Sequence, residues 1–215
     1  MEAKEVFKDI ACITSKLIEL GLSVDQNFPS QTTGSGQVYI SYDRYSDTSI
    51  ALKNIEYEAI YKELEKERQF NVKLLDGGLL QFFYCFEKDE LIKHRLCYFP
   101  SPDFESFQND PDLYLDESQI YADILFRSVL PVPIRFDYAP NDSTVIEHPA
   151  SHLTLGQYKN CRIPVATAIC PSTFANFILR AFYMNGLTGS KCIFEKREME
   201  YCLHDDEEAL LYISP

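Results

Sequence analysis

The chain has 215 residues, of which 46% are hydrophobic and 13% aromatic, so it can bury a sizeable core and is not a disordered segment. Its 33 acidic and 20 basic residues give a net charge of −13. An average surface of that charge repels phosphate, which disfavours a free-standing nucleic-acid-binding protein.

Helical periodicity dominates the first third of the chain. Apolar residues recur at helical spacing from Glu2 to Leu20, before Gly21, and again from Ser49 to Phe70, so we predict two amphipathic helices. Between them, the Pro-, Ser-, Thr- and Gly-rich stretch Asn27 to Gly36 is predicted to be a loop. The next stretch, Gln37 to Tyr42, alternates as a short strand.

The centre of the chain predicts a hairpin of two long strands. Leu79 to Phe86 is almost continuously apolar, as a central strand is, and Leu91 to Phe99 returns beside it after a polar reversal. On the returning strand, alternation places Arg95 on a mixed face, where it can be buried beside a carboxylate. A short third helix is predicted from Glu117 to Phe126.

The last part of the chain combines one clear helix with short strands. Pro171 to Asn185 has Pro in its first turn and an apolar stripe along one side. Met199 to Leu203 and Ala209 to Ile213 are predicted strands, turned by the acidic pair Asp205-Asp206. The sequence therefore predicts an α+β fold in which residues 1–215 form a single domain, mostly an antiparallel sheet with about four packed helices.

Cysteine usage and the amino terminus point to a reducing compartment. The seven cysteines are scattered without a CxxC pair, which argues against a disulfide framework and against a four-thiolate zinc site. The amino-terminal sequence is charged and amphipathic rather than signal-like, and no apolar run has the length of a membrane span. We expect a cytoplasmic protein without a membrane partner. Walker, GxGxxG and GxSxG motifs are missing from the sequence, so we expect no cofactor.

Polar residues that can carry chemistry concentrate between Pro131 and Pro164. Prolines at the start of this stretch force an extended backbone, and the alternation that follows places Arg135 and Asp137 on the same side of a strand. There they either pair with each other or point together at a ligand. Further along, His152 and Arg162 lie on two short returning strands and can share a polar face.

The spacing of the two histidines in this stretch does not predict a metal site. His148 precedes Pro149, which biases it away from helix. A helical HExxH site also needs Glu directly after the first His, and Pro149 occupies that position. We therefore expect no metal ion.

The same residues suggest metal-independent chemistry on an anion. Imidazole exchanges protons near neutral pH, and guanidinium binds phosphate or carboxylate in a fork. In a catalytic interpretation, His148 and His152 act as general base and acid, Arg135 and Arg162 hold phosphate charge, and Asp137 completes the set. The alternative is a buried polar network that only fixes strand register.

Several segments, read in order, resemble the bacterial family known as domain of unknown function 2290. They are LLDGGLLQFFYCF, HRLCYFPSPDFESFQNDP, VPIRFDYAP, HPASHLTLGQYKNCRIPV and PSTFANFILRAFY, between Leu74 and Tyr183. The resemblance implies a bacterial cytoplasmic protein, with some members encoded beside a helicase in antiphage defence loci, and it implies no agreed activity. The polar and glycine residues in the matching motifs are Arg95, Arg135, Asp137, Tyr138, His148, His152, Gly156 and Arg162. Of these, we expect Arg95 and Tyr138 to bind a ligand.

Three functions fit these observations. The first is an antiphage defence protein that acts as an accessory or regulatory subunit of a helicase-type partner encoded nearby and meets nucleic acid only through that partner. The second is a metal-independent nuclease or phosphodiesterase that uses the His and Arg cluster. The third is a sensor of a small anionic ligand bound by the same residues.

Overall fold

The computed structural model describes residues 1–43, 45, 55–102, 132–158, 160–183 and 194–215. These residues form the predicted α+β fold, with an antiparallel sheet, which has nine strands, and four α-helices. The helices are α1 (Ala3–Glu19), α2 (Tyr57–Lys66), α3 (Pro171–Phe182) and α4 (Asp205–Glu208). The strands are β1 (Ser23–Gln26), β2 (Pro29–Gly34), β3 (Gln37–Tyr42), β4 (Val72–Leu74), β5 (Leu79–Glu87), β6 (Glu90–Phe99), β7 (Ile134–Tyr138), β8 (Ser151–Leu155) and β9 (Ile163–Pro164).

The sheet is built around the predicted β5–β6 hairpin, and every pairing between its nine strands is antiparallel. On one side, β7, β8 and β9 follow β6 in order. On the other side, β4 pairs with the start of β5 and carries β1, whereas β3 pairs with the end of β5 and carries β2. The two longest strands are therefore central, which agrees with their nearly continuous apolar sequence.

Helix α1 forms because its apolar residues recur on one side and both of its ends are capped. Its buried residues are Val6, Ile10, Ile13, Thr14 and Leu17. At its start, Glu2 and Glu5 form a capping box, which satisfies two free N–H groups. At its end, Gly21 has φ +67°, and the next residue, Leu22, donates its N–H to the Leu17 carbonyl at 2.9 Å. This is the left-handed helix ending that glycine favours.

The two faces of the sheet have different neighbours. One face packs with α1 and α3 on the larger hydrophobic core, to which β5 and β6 contribute alternate residues such as Phe82, Leu96 and Tyr98. On the other face, α2 covers a smaller cluster that includes Leu79 and Phe99. Of the predicted functional residues on β6 and β7, Arg95, Arg135 and Asp137 lie on this second face, whereas Tyr138 lies on the first.

The structure corrects two predictions. The predicted loop Asn27 to Gly36 contains strand β2, because pairing with β3 along its whole length overrides the Pro- and Gly-rich composition. The predicted hairpin of Met199 to Leu203 and Ala209 to Ile213 does not form, because Tyr201 and Ile213 make only single bridges to other segments and the turn between them is helix α4. Its start is capped by the His204 side chain, which accepts from the Asp206 N–H, and acidic residues in a first turn are favoured by the helix dipole.

Other predictions lie outside the described residues. They include the start of the second predicted helix, the whole helix Glu117 to Phe126 and residue Pro131. Among the helices that the structure describes, none is long and apolar enough to cross a membrane. The six cysteines in the described ranges are all unpaired.

Candidate functional site

Strand register places the candidate residues in two rows across the second face of the sheet. Residues directly opposite in an antiparallel pair point to the same face. The first row is Arg95, Asp137 and His152, on β6, β7 and β8. The second row, two residues along each strand, is Cys97, Arg135 and Thr154. We call Arg95, Arg135, Asp137 and His152 the Asp137 cluster.

Asp137 is the centre of this cluster because it pairs with both arginines. Arg95 donates from Nε to Oδ1 at 3.0 Å, and Arg135 donates from Nε to Oδ2 at 2.6 Å. All three side chains are mostly buried. Burial alone raises the pKa of a carboxyl, but the two guanidinium groups outweigh it and lower the pKa of Asp137 to about 2. Asp137 is therefore ionised at neutral pH.

His152 completes the first row in a defined tautomer. Its Nδ1 lies 3.0 Å from the Pro149 carbonyl oxygen, which can only accept, so Nδ1 carries the proton. Its Nε2 lies 3.9 Å from Asp137 Oδ2. Burial lowers the pKa of His152, and the nearby Asp137 carboxylate opposes this only in part. The ring is therefore neutral at pH 7, and its Nε2 can accept a proton or a hydrogen bond.

His148 lies against His152. The two ring centroids are 5.0 Å apart, edge to face. His148 Nδ1 lies 3.0 Å from the Asp142 carbonyl oxygen, so this ring too leaves Nε2 without the proton when it is neutral. Arg162 does not bond to the cluster. It donates from Nη1 to the Glu147 carbonyl at 2.9 Å, next to His148, and its charge helps to lower the pKa of His152.

In the second row, Arg135 lies between the Thr154 hydroxyl, which has no hydrogen-bond partner among the described residues, and the Cys97 thiol. Thr154 is only 6% exposed. Burial raises the pKa of Cys97 to about 12 in spite of nearby Arg135, so the thiol is protonated and is not a nucleophile at neutral pH. Beyond its bond to Asp137, Arg135 makes no hydrogen bond to any described residue. The row therefore presents hydrogen-bond donors from Arg135 and Thr154, and its thiol is not a nucleophile at neutral pH.

Most of the chain matches the model of a known protein family. The family model described as "Uncharacterized conserved protein (DUF2290)" matches residues 22–214. The chain belongs to the DUF2290 family. No curated protein and no solved structure matches it. The matched residues include the whole of the Asp137 cluster. The residues before the match are α1 and those next to that helix.

Not every predicted site residue of this DUF2290 chain joins the cluster. Tyr138 points to the opposite face from Arg95, where its ring stacks on His94 with centroids 5.5 Å apart. Arg95 and Tyr138 therefore do not form one ligand site. No three His, Cys, Asp or Glu side chains within the described ranges are arranged to hold a metal ion.

Two buried polar groups were missed by the sequence reasoning. The first is His94, which is fully buried and accepts at Nε2 from the Ile169 N–H at 2.9 Å. Burial lowers the pKa of His94 to about 3, so the ring stays neutral in the core. The available signal was a histidine on the otherwise apolar face of a predicted central strand.

The second missed group is Asp76, in the DGG turn between β4 and β5. Tyr183 donates its hydroxyl to both carboxylate oxygens, at 2.9 and 2.8 Å, and the Gly78 N–H donates to Oδ1 at 2.9 Å. The Tyr98 hydroxyl lies 2.9 Å from that of Tyr183. Burial raises the pKa of Asp76. An Asp before Gly-Gly is read from sequence as a turn residue, so its bond to Tyr183, directly after α3, was not predictable.

Proposed function

We propose that this DUF2290 protein recognises an anionic group, such as a phosphate, at Arg135 and Thr154, beside the Asp137 cluster. One observation carries the proposal: Arg135 shares Asp137 with Arg95 and has no other hydrogen bond among the described residues. The terminal nitrogens of Arg135 are not among the buried side-chain atoms that lack a partner, so they reach the surface of the protein, where they can donate to an anion. The unpartnered hydroxyl of Thr154 stands opposite Arg135 on the next strand and can donate to the same anion.

We further propose a setting for this recognition. The motifs that resemble members encoded beside a helicase in antiphage loci support an accessory or regulatory role, in the bacterial cytoplasm, for a helicase-type partner. The net charge of −13 supports the view that nucleic acid is reached through that partner. Copurification with the helicase-type protein encoded nearby tests this part, and a chain that never associates with it contradicts it.

Thermal shift and calorimetry with inorganic phosphate, nucleotides and short oligonucleotides test the anion site. A ligand present at a hundred times its dissociation constant stabilises the fold by about 2.7 kcal/mol. Arg135→Met keeps the Arg95–Asp137 pair and should abolish the shift. Arg180→Met, at an exposed position of α3, is the matched control and should leave it intact. The proposal is rejected if no anion shifts the wild type, or if Arg135→Met responds equally.

A second candidate is metal-independent cleavage of a phosphodiester, favoured by the contact between His148 and His152. The Nε2 of His152 is available as a base, and His148, when protonated, as the acid. His152→Asn keeps a donor for the Pro149 carbonyl and should fold, but it lacks the Nε2 base. A labelled oligonucleotide in the presence of a metal chelator is the substrate to test. Cleavage that survives His152→Asn excludes this mechanism, whereas anion binding without cleavage leaves the first function.

A further inference from the structure

We propose that exposed apolar side chains from the turn before His148 and from the carboxy-terminal segment form a docking surface for a basic protein partner. We call it the acidic apolar surface. Its apolar members are Val145, Ile146, Tyr201, Leu210, Leu211 and Tyr212. The inference rests on the partner part of the proposed function and adds where, and by what chemistry, the partner binds.

These apolar side chains are exposed as a group and not as single, scattered surface residues. Leu211 is 83% exposed and Tyr201 57% exposed, although the segment that carries them is fixed to the sheet. Ile213 bonds to both sides of Val165, because its N–H donates to the Pro164 carbonyl and its carbonyl accepts from the Ala166 N–H. Leu211 is therefore held outward by an ordered backbone, and a clustered apolar surface of this kind marks interaction sites.

A buried carboxylate joins the two segments of the surface. Glu207 of α4 is 2% exposed and accepts from the Ile146 N–H at 3.0 Å and from the His204 N–H at 3.2 Å. Ile146 has φ +67°, which strains a β-branched residue, and its side chain still points outward. The strained turn is thus held against α4, and strain of this kind concentrates at functional sites.

The charge around the surface selects the partner. Between Pro140 and His148, and between Glu198 and Pro215, the sequence has eight Asp or Glu and no Lys or Arg. Two basic side chains from outside these segments, Arg162 and Lys196, bond to their backbone at Glu147 and Pro215. Apart from Glu207, the acidic side chains of these two segments are exposed. Such a surface repels nucleic acid, anionic lipid and a second copy of itself, and it attracts a basic protein surface that offers apolar contacts.

Binding of two probes to matched variants tests the inference. The probes are the helicase-type protein encoded nearby and an amphipathic peptide of alternating leucine and lysine. Leu211→Ser and Ile146→Gly should each weaken binding by about tenfold or more, as loss of an apolar anchor does. Val24→Ser, at a position 53% exposed but on β1 at the opposite end of the sheet, is the control and should bind like the wild type. Neither Leu211 nor Val24 is buried, so folding should not change.

The outcomes separate this inference from the function on which it rests. If the helicase-type protein binds the wild type and Leu211→Ser equally, the surface is wrong and the partner role stands. If that protein does not bind the wild type, the partner role fails. Binding of the peptide then tests whether the acidic apolar surface is a docking surface. Peptide binding that is weakened by Leu211→Ser and not by Val24→Ser then supports it. Equal binding, or none, overturns it.

Discussion

Asp137 and Arg95 are partners across strands β7 and β6, with Oδ1 of the carboxylate 3.0 Å from Nε of the guanidinium. Arg135 occupies the other carboxylate oxygen. Asp137→Asn would leave two mostly buried guanidinium groups without their shared anion, and we expect it to lower the free energy of unfolding by about 3–5 kcal/mol. Urea unfolding measures the loss. Asp25→Asn, which removes the carboxylate paired with exposed Arg68, should cost at most about 1 kcal/mol.

The Asp137 carboxylate also makes the free energy of unfolding depend on pH in the acid range. The pKa of Asp137 is about 2 in the folded protein, below its ordinary value of 3.8. The unfolded chain therefore binds the proton first, and stability is lost as the pH falls from about 4 to about 2. The loss should reach about 2 kcal/mol in the wild type and be missing in Asp137→Asn. Chemical denaturation at pH 5, 4, 3 and 2 compares the two proteins. Equal slopes would contradict the ion pairing.

His94 should make the stability of the fold depend on pH in a second range, which lies higher than that of Asp137. Its folded pKa of about 3 lies below its ordinary value of 6.5, so the unfolded chain gains a proton that the buried ring does not. Stability should fall as the pH drops below 6.5, by up to about 1.4 kcal/mol for each pH unit. Nuclear magnetic resonance of the ring provides the direct check. A His94 resonance that titrates near pH 6 in the folded protein would contradict the neutral buried state.

Ile146→Gly should stabilise the fold. Glycine adopts a φ of +67° without strain, and relief of that strain should raise the free energy of unfolding by about 1 kcal/mol. Thermal unfolding measures this change. Ile146→Ala keeps a Cβ in the same conformation and should not stabilise. If Ile146→Gly is less stable than the wild type, contacts of the isoleucine side chain outweigh the backbone strain.

Tyr183→Phe should destabilise the fold by about 1–3 kcal/mol, because Asp76 loses a hydrogen bond to each carboxylate oxygen while it stays buried. The loss should shrink at acid pH, where protonated Asp76 no longer carries a charge to bury. Denaturant unfolding at pH 7 and pH 4 tests both statements. Tyr158→Phe, at a position 75% exposed, should change neither value. A loss that is constant with pH would assign the effect to packing alone.

Alternation along strands predicted much of the site. It placed Arg135 and Asp137 on one face and allowed Arg95 to lie beside a carboxylate, and both placements agree with the structure. It did not predict that Asp137 faces Arg95 and His152, because the register between strands that are distant in sequence depends on the whole sheet. The sequence pattern therefore located the residues, and the register arranged them.

The elements that the sequence missed have their own physical reason. Helix α4 has four residues, all acidic, so it has no apolar stripe, and its caps rather than periodicity define it. Strand β2 is mostly exposed and polar, and only its pairing with β3 makes it a strand. Short elements that are stabilised by distant contacts carry little signal of their own.

Helix α1 lies outside the part of the chain that the family model matches, although the fold depends on it. The DUF2290 match begins at residue 22, after this helix ends at Glu19, yet α1 contacts α3 and four strands of the sheet. Each large side chain that it buries contributes about 1.5–3 kcal/mol. A recombinant protein cut at residue 22 would expose the apolar side of the sheet and aggregate. The segment that the family model matches is thus smaller than the unit that folds.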